Sequence, residues 1–95
     1  MPIWNTDINV GILLYRILKI NSMNEKKINQ FISHQLVKAR EEMGYTQIKV
    51  QQDKIINQSN LSKIENGVKN ISAAKLFVLA NYYKKPITFF YNNEN

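Results

Sequence analysis

The sequence predicts an all-α fold, and three observations carry that reading. Ile28, Ile32, Leu36, Ala39 and Met43 follow one another at intervals of three and four, which places them on one face of a helix. Thr46, Asn57 and Ser72 each stand where a side-chain oxygen can accept from the amides of a helix that starts one residue later. No segment alternates with a period of two for long enough to make a strand, and there is no internal repeat or low-complexity tract.

Taken in order, Thr6-Asp7 precedes Ile8, Ile12 and Tyr15 at helical spacing, so a first helix is expected from about Asp7 to Ile20. Its apolar residues run almost all the way round, which calls for a packing partner or a second chain. Ser22 and Glu25 have the spacing of a capping box, and the long periodic face behind them predicts a helix from about Met23 to Met43. Gly44 follows where a left-handed stop belongs. The three capped starts then predict three short helices, from Gln47, Gln58 and Ala73. Their stops fall near Lys54 to Ile56, at Asn66-Gly67 and at Lys84-Lys85-Pro86. A last turn of helix carries Ile87, Phe90 and Tyr91, and the tail from Asn92 to Asn95 is expected to fray.

Composition narrows the function. A chain of 95 residues with 44% apolar content, 3 Gly and 2 Pro has the make-up of one folded domain. Thirteen Lys+Arg against seven Asp+Glu leave a net charge of +6, which points to a polyanionic partner such as nucleic acid or an anionic membrane surface. Most of the excess lies between Gly44 and Asn95, where seven Lys face Asp53, Glu65 and Glu94. The absence of cysteine excludes a disulfide scaffold, a thiolate metal site and a cysteine nucleophile. The most apolar run, Val10 to Ile20, contains Arg16 and Lys19 and falls well short of the roughly twenty residues needed to span a bilayer. Asp7 in front of it does not suit a signal peptide, so a cytoplasmic location is expected. His34 has no companion ligand, Glu41 and Glu42 are neighbours that point in different directions, and phosphate-loop, zinc-protease and serine-hydrolase motifs are missing. No enzyme activity, cofactor or metal is expected.

Two short capped helices a few residues apart have the outline of a helix-turn-helix. On the second, Leu61 and Ile64 fall together while Ser59, Ser62 and Lys63 fall opposite, with Gln58 at the edge. Short or flexible hydrogen-bonding groups without a carboxylate suit base edges and phosphates, although spacing alone fits an ordinary solvated helix face equally well. Glu65 falls on the inward side and needs a partner there, for which Arg40 on the flank of the long helix is placed.

The run Arg40-Glu41-Glu42-Met43-Gly44-Tyr45-Thr46-Gln47, followed after a gap by Ser59-Asn60-Leu61-Ser62-Lys63-Ile64-Glu65-Asn66-Gly67, resembles the phage-repressor-like helix-turn-helix family, also called Xre or Cro/repressor-like. The resemblance covers about Ser33 to Tyr91. It implies a five-helix repressor-like bundle, here with an additional N-terminal helix, whose third family helix enters the major groove of double-stranded DNA, usually as a dimer on a palindromic site. By the same resemblance, Gln47 holds a phosphate and braces the first residue of the recognition helix. Gln58, Ser59 and Lys63 match positions that contact base edges, with Ser62 beside them. Asn60, Asn66, Lys69 and Asn70 match positions near the sugar-phosphate backbone, and Arg40 and Glu65 match an internal ion pair.

The chain also departs from the family pattern, with Gln51 where alanine is usual, Lys54 for leucine, Ile55 for a turn glycine and Ile71 for a common proline. A β-branched residue tolerates left-handed backbone poorly, so another turn shape is expected. Residues 1–22 form an N-terminal extension, 23–91 the DNA-binding domain and 92–95 a tail, and a natural start at Met23 would still encode the whole family domain. The function implied is that of a sequence-specific transcriptional regulator acting as a homodimeric repressor or autoregulator. The alternative is an antitoxin or other interaction module that binds a partner protein such as a cognate toxin. Phe77, Leu76, Leu79, Tyr82, Tyr83, Phe89, Phe90 and Tyr91 are mostly core, with some of this surface open to a dimer interface.

Overall fold

The computed structural model describes residues 25–91. Among them the chain forms four α-helices, α1 (Glu25–Glu42), α2 (Gln47–Gln52), α3 (Gln58–Glu65) and α4 (Ala73–Tyr82), followed by a single 3-10 turn (Ile87–Phe90). The helix expected over Asp7 to Ile20, and the Ser22 side of the capping box, lie outside the described residues. The last of the expected elements differs in kind. Pro86 opens it without a side-chain cap, and its bonds, such as Phe89 N–H to the Pro86 carbonyl at 3.0 Å, span three residues rather than four. Tyr91 falls just beyond it and is exposed.

The three caps read from sequence are formed. Thr46 Oγ1 accepts from the Lys49 amide at 3.0 Å, Asn57 Oδ1 from Asn60 at 2.8 Å and Ser72 Oγ from Lys75 at 3.1 Å. All four helices end in the same way. The N–H two residues past the cap bonds back to the carbonyl five before it, as from Tyr45 to Arg40, Ile55 to Val50, Val68 to Lys63 and Lys85 to Ala80. That closure needs one residue in left-handed backbone between them. Gly44 and Gly67 supply it at φ 74 and 76, while Lys54 and Lys84 supply it at φ 63 and 60. The turn before α3 therefore has a shape set by Lys54, one position ahead of Ile55. Ile55 escapes the left-handed region and packs instead against the core that contains Val50.

That core is drawn from every element. Ile32, Leu36 and Ala39 of α1 meet Val50 of α2, Leu61 and Ile64 of α3, Leu76, Leu79 and Ala80 of α4, and Tyr83 and Phe90, all of them buried. Two buried polar residues on α1 tie it to the rest: Ser33 Oγ donates to the Ile64 carbonyl at 2.7 Å, and Gln35 Nε2 to the Phe89 carbonyl at 2.9 Å. Both therefore meet the requirement that buried polar groups find partners. The first of these bonds seats the last turn of α3 on α1.

Left-handed lysine costs about 1 to 2 kcal/mol, whereas glycine there returns about 0.5 to 1 kcal/mol to the unfolded chain. Lys54→Gly is therefore expected to stabilise the fold by roughly 0.5 to 1 kcal/mol in urea unfolding. A loss of stability would show that residue 54 does not hold left-handed backbone.

Candidate nucleic-acid interface

α2 and α3 are joined by a turn that α4 holds from outside. Lys75 Nζ donates to the Ile55 carbonyl at 2.8 Å, and the Tyr82 hydroxyl donates to Asp53 Oδ2 at 2.6 Å. Asp53 is also paired with Lys49 at 3.1 Å, and the tyrosine hydroxyl, then the lysine, hold its carboxyl below the usual range. Lys75 is thus engaged by the fold, and so is Lys85: it pairs with Glu42 and lies 4.7 Å from the centre of the Phe89 ring.

Beneath α3 lies a connected polar network. Glu65, at the end of α3, has a side chain only 4% exposed, and Arg40 of α1 meets it with two bonds, Nε to Oε2 at 2.7 Å and Nη2 to Oε1 at 2.9 Å. Arg40 Nη1 donates to the Tyr45 carbonyl at 2.8 Å. Hydrogen bonding to Glu65 raises the already high pKa of the guanidinium, so the charge is permanent. Gln47 Nε2 donates to Glu65 Oε1 at 2.8 Å, and Gln47 Oε1 accepts from Gln58 Nε2 at 2.7 Å. Tyr83 is buried close by, its hydroxyl without a partner among the described residues and pushed well above its ordinary pKa by burial.

The outer side of α3 is different. Ser59 and Lys63 are exposed, and their side chains make no hydrogen bond within the described chain. Ser62 is half-buried, with Oγ accepting from Asn66 Nδ2 at 3.4 Å, and Asn60 Oδ1 accepts from Lys69 Nζ at 3.1 Å. Asn70 stands exposed in the loop after α3. The structure thus links Arg40, Glu65, Gln47 and Gln58 in one network, pairs Asn60 with Lys69 and Ser62 with Asn66, and leaves Ser59, Lys63 and Asn70 open. Gln51 was not among the residues singled out for the site. Its Oε1 accepts from the Gln58 N–H at 2.6 Å, and the only trace of this in the sequence is a glutamine where alanine is usual.

With this geometry in place, the comparison with known families is decisive: the model of a helix-turn-helix family of the phage-repressor type matches residues 36–90. The chain belongs to that family. No curated protein and no solved structure matches the chain. Helix-turn-helix proteins of this type are DNA-binding regulators rather than enzymes. Among the described residues no helix is long and apolar enough to cross a membrane, and no group of three or more His, Cys, Asp or Glu could hold a metal.

Removing one partner of the Arg40–Glu65 pair leaves the other charge buried. Arg40→Met is expected to cost about 3 to 5 kcal/mol, and adding Glu65→Leu should recover most of it. Near-additive single and double variants in a double-mutant cycle would show the pair to be energetically uncoupled. Tyr83→Phe removes an unsatisfied hydroxyl and should be neutral or stabilising by up to about 1 kcal/mol.

Proposed function

We propose that this chain is a sequence-specific transcriptional regulator that binds duplex DNA as a homodimer, acting as a repressor or autoregulator on a palindromic operator. The observation that carries the proposal is the charge arrangement of α3. Its one acid, Glu65, is turned inward and paired with Arg40, while Ser59 and Lys63 face out. A phosphate-lined groove therefore meets neutral donors and a cation, with no exposed carboxylate on this helix to repel it.

On this reading α3 lies in the major groove, where Gln58, Ser59, Ser62 and Lys63 address base edges. Ser62, half-buried, contributes from the rim. Gln47, Asn60, Asn66, Lys69 and Asn70 fix the domain on the sugar-phosphate backbone. The DNA-binding unit spans 23–91, preceded by the extension 1–22 and followed by the tail 92–95.

The dimer is supported by apolar surface that the described residues leave uncovered. Phe77 and Val78 on α4 are 59% and 43% exposed, and Tyr91 is 52% exposed. Exposed apolar side chains of this size are available to a protein interface. A second copy of the chain would cover it and present two α3 helices to half-sites one helical turn apart. A partner protein such as a cognate toxin is the other occupant that this surface could take. Sedimentation of the purified chain as a concentration-dependent dimer supports the first, and a strict monomer at all concentrations contradicts it.

The functional reading is tested by titrating selected and arbitrary duplexes at two salt concentrations. A steep salt slope and tighter binding to the selected duplex are expected, and flat, negligible binding to every duplex would overturn it. Lys63→Ala should alter the preference at one base pair by about 1 to 3 kcal/mol. Equal loss across all sequences would instead make Lys63 a backbone contact.

A further inference from the structure

Gln51 closes an account that the family pattern leaves open. The first amides of any helix have no partner inside it. In α3 the Asn60 amide is taken by Asn57 Oδ1 at 2.8 Å, and the Gln58 amide is taken at 2.6 Å by the carboxamide of Gln51, seven residues earlier. The Ser59 amide is the one of the three without a side-chain acceptor. An alanine at position 51 could not make this bond.

The bond also dictates which way the Gln51 carboxamide faces. A backbone N–H only donates, so the oxygen must turn toward it, and the amide nitrogen with its two hydrogens is left on the other side. That side chain is exposed, and its nitrogen has no acceptor among the described residues. The neighbouring carboxamide is oriented by the same reasoning. Glu65, an acceptor, takes Gln47 Nε2; Gln47 Oε1 takes Gln58 Nε2; the Gln58 oxygen is what remains. Gln51 near the end of α2 and Gln58 at the start of α3 are therefore held with unlike groups unspent, a donor on Gln51 and an acceptor on Gln58.

We propose that Gln51 is a further DNA-contacting and positioning residue: its oxygen locks the first amide of α3, and its outward N–H2 offers a phosphate oxygen the donor that this amide has given up. The proposal rests on α3 being the helix that enters DNA. It makes the glutamine at 51 the source of a backbone contact at the α2–α3 corner.

The test compares wild type, Gln51→Ala and Gln51→Glu on two probes, the duplex that the wild-type chain selects from a randomised pool and an arbitrary duplex of equal length, with thermal melting of each protein alongside. Gln51→Glu keeps an acceptor for the Gln58 amide and should melt close to wild type. It replaces the donor with a carboxylate, so it should bind both probes more weakly than Gln51→Ala, and the gap should narrow as salt is raised. Gln51→Ala should lose roughly fivefold to twentyfold in affinity, the range expected for one hydrogen bond and its brace. Binding of Gln51→Glu at wild-type strength would overturn the proposal, because a brace without a contact survives that change. Equal binding by Gln51→Ala and wild type would overturn it as well. A wild-type chain that binds no duplex would bring down the DNA reading and this proposal together, whereas wild-type binding indifferent to residue 51 brings down this proposal alone.

Discussion

A carboxylate buried at the end of α3 is the constraint on which the rest of this structure depends. Glu65 cannot remain charged and dry without donors, and the chain brings them from two other helices, Arg40 from α1 and Gln47 from α2. Because Arg40 meets both carboxylate oxygens, the pair fixes orientation as well as distance. The same bonds that satisfy the charge thus set how α3 sits on α1 and α2. They also remove the only negative charge of α3 from the side that faces out. Fold and electrostatics are settled by one residue, and Gln58, at the other end of α3, is tied to it through Gln47.

Short helices need firm ends, and the chain supplies them in two ways. At the starts, Thr46, Asn57 and Ser72 hold one amide each. At the stops, one left-handed residue lets two carbonyls be satisfied at once, whether that residue is glycine or lysine. Lysine is the costlier choice, and at the α2–α3 turn α4 reinforces it, with Lys75 on the Ile55 carbonyl and Tyr82 on Asp53. The turn that aims α3 is therefore held from within by backbone bonds and from outside by α4.

What could be read in the sequence was the chemistry that acts over a few residues. Caps are legible because a Ser, Thr or Asn ahead of a helix acts on an amide three positions away. The inward path of Glu65 was legible too, since a helical wheel placed it beside Leu61 and Ile64 and the cost of burying a charge demanded a cation. Lys54 and Lys84 were not, because lysine carries no turn signature and only the backbone reveals their positive φ. Ile55 is legible only as a residue unsuited to left-handed backbone, and it stays out of that region because Lys54, one position earlier, takes it. Gln51 and Lys85 were missed for a different reason. Their partners, the Gln58 amide and Glu42, are brought within reach only by the packing of separate helices, and no spacing rule encodes that. Phe77 and Leu76 show the same limit: adjacent in sequence and both apolar, one is exposed and the other buried.

In the proposed function α3 meets DNA with its outer face while Glu65 holds it from behind. The most direct measurement is to follow the backbone amide signals of the chain by nuclear magnetic resonance as a selected duplex is added. Salt-sensitive shifts are expected to concentrate at Gln47, Gln58, Ser59, Asn60, Lys63 and Asn70, with His34 and Lys38 on the exposed side of α1 unmoved. Binding that shifts His34 and Lys38 and leaves the α3 amides in place would contradict it.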